Sequence, residues 1–118
     1  MSKISREILE QQLEQKLVKL HIEDCLKGGN GRCYIYKDVT PSAPWESESG
    51  KIVIEEGASI GFHYHDVDSE TYTVLKGTVE INGKIYHVGD SVICPKGQGH
   101  NAINCGFGDA ILGFSKVM

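Results

Sequence analysis

The sequence contains no long apolar run, no cluster of basic residues and no closely spaced pair of cysteines. A membrane-spanning helix needs about 20 consecutive apolar residues, so we expect no contact with a membrane. The 12 Lys and Arg residues are scattered and the net charge is -4, which disfavours nucleic acid as a partner. The polar N-terminal stretch lacks the apolar centre of a secretory signal, so we expect a cytoplasmic protein.

The cysteines are four in number and no two of them form a C-x-x-C pair. In a protein that is not secreted, such cysteines are most often reduced thiols, and we expect them to be mostly buried. The length of 118 residues suits one domain with a single core. The cysteines therefore predict neither a disulfide framework nor a thiolate metal site.

The N-terminal segment 4–20 has the apolar spacing of an amphipathic helix. Ser5 is placed to cap this helix, and Glu7 suits its first turn. We expect its apolar stripe to pack on the rest of the domain or on a second subunit. A single helix is too short for a helix-turn-helix module. The apolar positions are Ile4, Ile8, Leu13, Leu17 and Leu20.

The remainder of the chain predicts β-structure. The glycine-rich stretch 27–32 interrupts the chain, and at least seven short segments rich in β-branched and aromatic residues follow it. Asn82-Gly83 lies between two of these segments and predicts a hairpin with a type I′ turn. We therefore expect a mainly β fold, a sandwich or barrel, and divide the chain into residues 1–26 and 27–118.

Three potential metal ligands lie close together in the sequence GFHYHDVDSE. Alternate residues of a strand share a face, so His63 and His65 point together while Tyr64 points away. A polar turn can return Glu70 alongside them. A fourth donor, His100, follows a turn rich in glycine and proline.

These two stretches resemble the two conserved motifs of the cupin superfamily, especially those of small single-domain members similar to oxalate decarboxylase and mannose-6-phosphate isomerase. The resemblance covers roughly residues 28–118, and all ten signature positions are present at the family's spacing. The positions are Gly57, His63, His65, Glu70 and Gly77 in the first motif and Gly89, Pro95, Gly97, His100 and Asn104 in the second.

The resemblance implies a jelly-roll barrel, also called a double-stranded β-helix and typical of RmlC-like proteins, preceded by the N-terminal helix. It implies that one divalent metal is bound by His63, His65, Glu70 and His100. Iron or manganese is the most frequent metal in the family, and zinc, nickel and copper also accept such ligands. Small cupins usually pair their subunits, so we expect a homodimer. The signature glycines are expected at turns that need unusual backbone angles.

The resemblance does not define a reaction, because function belongs to the site rather than the fold. We favour a metalloenzyme acting on a small oxygenated acid, sugar or enol, of the dioxygenase, decarboxylase, isomerase or lyase type. The alternative is a non-catalytic cupin that binds or senses a small ligand. Either would take a small anionic or oxygen-chelating molecule. A metal-free sugar epimerase is less consistent with the complete ligand set.

Other residues have weaker predicted roles. Tyr72 shares the strand face of Glu70 and is the candidate catalytic residue beside the metal, although an ordinary core tyrosine is the simpler interpretation. Trp45 lies in an irregular loop and could cover the cavity mouth. His21, at the end of the expected helix, and His87 are expected to be solvated. By position alone, the candidate proton donors are Asp66, Asp68, Glu55 and Glu56.

Overall fold

The computed structural model describes residues 5–39 and 48–117, which form one α-helix, ten β-strands and a short 3₁₀ turn. The prediction of a mainly β chain with one N-terminal helix is confirmed. The elements are α1 Arg6–Glu14, β1 Val18–Asp24, the turn Leu26–Gly28, β2 Arg32–Asp38, β3 Glu48–Ile54, β4 Ser59–His63, β5 Ser69–Lys76, β6 Val79–Ile81, β7 Lys84–Tyr86, β8 Ser91–Cys94, β9 His100–Asn104 and β10 Ala110–Val117.

The strands form two antiparallel sheets. The larger sheet has six strands in the order β1-β2-β3-β10-β5-β8, and the smaller has four in the order β4-β9-β6-β7. Strands that are distant in sequence are neighbours in both sheets, as in a jelly roll. The main apolar core contains residues of both sheets, including Ile54 and Leu112 from the larger and Ile60 and Ala102 from the smaller. The two sheets therefore enclose a common interior.

The N-terminal helix is shorter than the sequence predicts. It begins after the capping residue Ser5, whose hydroxyl accepts a hydrogen bond from the Ile8 amide at 3.3 Å, and it ends at Glu14. The expected helical positions 18–20 instead belong to β1, which pairs along its whole length with β2. The reason is a second pattern in the same residues, where Val18 and Leu20 alternate with polar neighbours and join a second apolar cluster.

That second cluster lies on the outer face of the larger sheet, beneath α1. Leu9 of the helix is fully buried there against Val53 and Ile111. The helix thus packs on the domain, in agreement with one of the two expected positions for its apolar stripe. No helix in residues 5–39 or 48–117 is long and apolar enough to cross a membrane. The division of the chain between residues 26 and 27 stays a prediction.

The structure confirms the predictions for the turns and only half of the prediction for the cysteines. Asn82 and Gly83 have φ of 50° and 83° between β6 and β7, as a type I′ hairpin requires. The expectation of mostly buried thiols holds for only half of the cysteines. Cys33 and Cys94 are buried, whereas Cys25 and Cys105 are exposed. The four signature glycines 57, 77, 89 and 97 also have positive φ, from 77° to 96°.

Asn104 joins three segments of the fold from the end of β9. Its buried Nδ2 lies 2.9 Å from the carbonyl oxygens of Ile54 and Gly108, and its Oδ1 accepts a hydrogen bond from the Gly106 amide at 3.1 Å. We expect Asn104→Ala to lower the free energy of unfolding by about 3 kcal/mol, because buried backbone groups lose their partners. Urea denaturation measures this change.

The matched control is Asn30→Ala, because Asn30 is exposed. The backbone of Asn30, rather than its side chain, makes hydrogen bonds with Ser59. The control should change the free energy of unfolding by less than about 0.5 kcal/mol. A similar small effect for Asn104→Ala would contradict a structural role for that amide.

Candidate metal centre

The four predicted ligands come together between the two sheets. His63 is the last residue of β4 and lies directly opposite His100, the first residue of β9. Glu70 reaches them from β5 of the larger sheet. One donor atom from each of His63, His65, Glu70 and His100 lies within 4.8 Å of the others. His65 lies two residues beyond β4 rather than on it, yet its ring centroid is 5.0 Å from that of His63.

Glu70 is the centre of the cluster. One of its carboxylate oxygens, Oε1, accepts a hydrogen bond from His100 Nε2 at 3.0 Å and lies 3.2 Å from His65 Nε2. Glu70 is 2% exposed and His100 is 1% exposed. A buried carboxylate needs such partners, because an unpaired charge in the interior is costly. The four side chains therefore form a polar cluster in which Glu70 and His100 are buried, while His63 and His65 are partly buried and line the cavity.

Two of the three imidazole rings have a polar group next to their outer nitrogen, whereas the buried Nδ1 of His100 has no hydrogen-bond partner. The Gly61 carbonyl oxygen lies 2.8 Å from His63 Nδ1, so a proton on Nδ1 leaves the Nε2 lone pair free for a ligand. Asp68 Oδ1 lies 2.8 Å from His65 Nδ1. That contact is short, but neither it nor the contact of His65 Nε2 with Glu70 has hydrogen-bond geometry. Both are therefore electrostatic contacts between a ring nitrogen and a carboxylate.

The donor set fits a divalent transition metal. His65 Nε2 is buried, faces the carboxylate and has no hydrogen-bond partner, which is uncommon for a buried polar atom. Imidazole nitrogens and a carboxylate oxygen are donors that iron, manganese, nickel, copper and zinc accept. Carboxylates and carbonyls behind the rings are typical of metal-binding histidines. The cluster thus suggests one divalent metal site, whose metal the donors do not distinguish.

Electrostatics in the cluster depend on burial and on the neighbouring rings. Burial lowers the pKa of His63, and the nearby His100 and His65 lower it further. For Glu70, burial opposes ionisation, but His100 and Tyr72 outweigh it and lower the pKa of the carboxyl. Burial also disfavours the imidazolium of His100, but contacts with Cys94 and Glu70 raise its pKa to about 9. The carboxylate is therefore ionised at neutral pH.

A cavity of about 250 Å³ opens from this cluster. Tyr72 lines it, is buried, and places its hydroxyl 3.4 Å from His100 Nε2. Burial and the adjacent Glu70 raise the pKa of Tyr72 well above its ordinary value, so the phenol keeps its proton at neutral pH. The expected position of Tyr72 beside the cluster is thus what the structure shows.

The other histidines lie outside the cluster. His87 is exposed on the loop between β7 and β8. His21 does not end a helix but lies on β1, where its exposed ring contacts Glu23 through a 2.7 Å hydrogen bond at the cavity mouth. Trp45, expected over that mouth, falls outside the described residues.

The candidate proton donors are not in the cavity wall. Glu55 accepts a hydrogen bond from Tyr34, and Glu56 accepts one from the Gly108 amide. Asp68 contacts the outer nitrogen of His65, and the exposed Asp66 does not line the cavity. Sequence reasoning also missed the cavity residues Lys27, Lys37 and Lys116 and the pair His21 and Glu23. No sequence pattern marks these residues as neighbours, because several separate segments contribute them and they come together only in the tertiary structure.

Comparisons with known proteins agree with this architecture. The family model described as "Cupin domain" matches residues 50–114, more than half of the chain. A predicted oxalate decarboxylase from Thermotoga maritima superposes with a TM-score of 0.76 at 21% identity, over 100% of this chain and 99% of that one. An RmlC-like cupin from Shewanella frigidimarina NCIMB 400 gives 0.60 at 24% identity, over 84% of each chain.

A third structure is an uncharacterized conserved protein with a double-stranded β-helix domain from Klebsiella pneumoniae. It gives a TM-score of 0.58 at 27% identity, over 70% of this chain and 76% of that one. A search among curated proteins gives no significant match. These likenesses support the fold and do not transfer an activity. The matched family model, the two-sheet fold and the spacing of both motifs together show that the chain belongs to the cupin superfamily.

Proposed function

We propose that this cupin is a metalloenzyme that acts on a small oxygenated acid, sugar or enol at a mononuclear divalent metal. The observation that carries the proposal is the convergence of His63, His65, Glu70 and His100 at the end of a cavity large enough for a small molecule. A metal held by these residues would act as a Lewis acid on a chelating oxygen. Iron or manganese is the expected metal.

Tyr72 is the residue best placed to act on such a molecule. Its hydroxyl lines the cavity beside His100 and keeps its proton, so it can donate a hydrogen bond to an oxygen of the bound molecule. The hydrogen bond from a buried donor of this kind strengthens as negative charge develops on that oxygen, since water does not compete for the oxygen. We assign Tyr72 an orienting and charge-stabilising role rather than that of a general base.

The proposal includes an anionic, oxygen-chelating ligand, a cytoplasmic location and a homodimer. The alternative is a non-catalytic cupin that binds or senses the same kind of ligand. The two differ in turnover, which a binding protein lacks. An oxygen-uptake and product screen of small hydroxy and keto acids, with metal-loaded protein, separates them. Consumption of a keto acid without oxygen uptake would favour the decarboxylase, isomerase or lyase types.

The experiment that tests the site uses nitric oxide as a probe of open coordination. Anaerobic protein loaded with Fe(II) should bind nitric oxide and give the electron paramagnetic resonance signal of a high-spin iron-nitrosyl. A small keto acid should perturb that signal, because it competes for or alters the open positions. A structural site closed by four ligands has no position for a further one.

The matched variant for this experiment is Tyr72→Phe, which tests the role of the hydroxyl. Phenylalanine retains the ring, so the nitrosyl signal should persist, while the perturbation by the keto acid should weaken as the hydroxyl is lost. Full iron occupancy without a nitrosyl signal would place the enzyme hypothesis below the binding-protein alternative. An unchanged response to the keto acid in Tyr72→Phe would remove the tyrosine from the proposed site.

A further inference from the structure

We propose that the cavity takes an acid with two anionic ends, one at the histidine-glutamate cluster and one held by Lys37 and Lys116 at the mouth. The inference rests on the proposed function, which supplies the chelating end, and it adds a second recognition point. It follows from three features of the cavity: a row of residues across the larger sheet, the convergence of two ammonium groups, and the distribution of charge.

The row begins at Tyr72 beside the cluster and ends at the mouth. On successive strands Tyr72 lies opposite Phe114, Phe114 opposite Gly50, and Gly50 opposite Lys37. Directly opposed residues of antiparallel strands share a face, so all four face the interior. Strands lie about 4.8 Å apart, which puts the Lys37 backbone roughly 14 Å from that of Tyr72. The Lys37 side chain shortens this gap to the length of a small molecule.

The middle of this row is apolar and open. Phe114 is 5% exposed and lines the cavity, together with the apolar Ile35, Ile52 and Ile60. A Cβ at Gly50 would collide with the Tyr36 carbonyl oxygen and lie 3.0 Å from Phe114 Cε1. No side chain therefore separates the Phe114 ring from Lys37 along the row. Methylene groups of a ligand would pack here with a favourable free energy, because contact with this apolar surface removes both from water.

The two ammonium groups converge on one carboxylate. Lys37 Nζ lies 3.8 Å from Glu48 Oε1, and Lys116 Nζ lies 3.6 Å from Glu48 Oε2. Lys116 is directly opposite Glu70 on the neighbouring strand, and its Nζ lies 5.8 Å from the Phe114 ring centroid. Glu48 is half exposed, and such long contacts are weak in water. The Glu48 carboxylate thus occupies the position between the two lysines that a ligand's distal anion would take in its place.

The charge of the cavity differs from that of the chain. The protein has a net charge of -4, yet the described cavity wall contains Lys27, Lys37 and Lys116 against Glu23 and Glu70. Glu23 pairs with His21, and Glu70 belongs to the cluster. A bound divalent ion would add further positive charge. Glu48 offsets part of the lysine charge at the mouth, so the attraction of an anion to this entrance depends on the lysines together with the bound ion.

The test compares two keto acids of equal chain length on full-length, Co(II)-loaded protein at low ionic strength. The probes are 2-oxohexanoate, with one carboxylate, and 2-oxoadipate, with a second carboxylate at the far end. Calorimetry gives the affinities, and the visible Co(II) spectrum reports entry of the keto acid into the metal site. We expect 2-oxoadipate to bind about tenfold more tightly, because two partly exposed lysines add charge pairs near the surface.

The lysine variants and the glutamate variant should change the affinity for 2-oxoadipate in opposite directions. Lys37→Ala and Lys116→Ala should each weaken 2-oxoadipate binding about fivefold and 2-oxohexanoate binding less than about twofold. Glu48→Gln should tighten 2-oxoadipate binding several-fold, because the competing internal carboxylate is removed. Lys84→Ala, in the exposed hairpin of the smaller sheet, is the control and should change neither.

The outcomes distinguish this inference from the proposed function. If neither keto acid alters the Co(II) spectrum, the chelating site itself is wrong. Spectral changes with equal affinity for both probes would keep the metal site and overturn the second recognition point. A preference for 2-oxoadipate that survives both lysine substitutions would also overturn it. Circular dichroism of each variant confirms that the fold is retained, as expected for partly exposed side chains.

Discussion

Substitution of His100 by alanine should remove most of the bound metal, with a loss of affinity of at least ~100-fold. His100 is buried, and its Nε2 shares Glu70 Oε1 with His65, so its removal takes a donor from the centre of the cluster. Loss of an outer contact alone typically costs 10–100-fold in metal affinity, and loss of a direct ligand costs more. The measurement is metal analysis of protein purified without a histidine tag, together with competition against a coloured chelator.

Matched variants give this experiment its controls. His63→Ala, His65→Ala and Glu70→Gln should each lower metal content, whereas His87→Ala should leave it at the wild-type level because His87 is exposed. His100→Gln tests the same position with a side chain of closer volume, in case alanine leaves a disruptive cavity. Wild-type occupancy in both folded His100 variants would remove that residue from the ligand set.

Metal removal should lower stability without unfolding the protein. The apolar core between the sheets and the cluster beneath α1 are built from residues other than the four ligands, so the apo chain has its own packing. Binding to the folded state adds RT ln(1 + [M]/Kd), about 4 kcal/mol at a thousandfold excess over Kd. For a domain of this size that corresponds to a rise in Tm of roughly 15 °C.

Thermal denaturation by circular dichroism, with and without metal, measures this rise. The control is His100→Gln, in which the same metal addition should raise Tm by about 5 °C or less, because a ~100-fold loss of affinity leaves at most about a tenfold excess of metal over Kd. Nonspecific stabilisation by the ion would shift both proteins equally. A random-coil spectrum of the wild type after chelation would contradict the prediction, because the metal would then be needed to form the fold, as in zinc fingers.

The sequence by itself determined the features that local chemistry controls. The spacing of both motifs, the paired histidines and Glu70 were sufficient to predict which four side chains meet. Asn82-Gly83 specified its hairpin because few other residue pairs accept positive φ at both positions. Ser5 specified the helix start through its hydroxyl. Each of these depends on contacts within a few residues or on a spacing shared across the family.

Only the tertiary structure decided features that depend on distant segments. Residues 18–20 suit a helix or a strand by pattern, and the unpaired edge of β2 selected the strand through backbone hydrogen bonds along β1. Lys37 and Lys116 come from β2 and β10 and meet at Glu48 of β3 only because strand order differs from chain order. Such pairings carry no local signal, since they depend on which strands become neighbours when the two sheets close over the core.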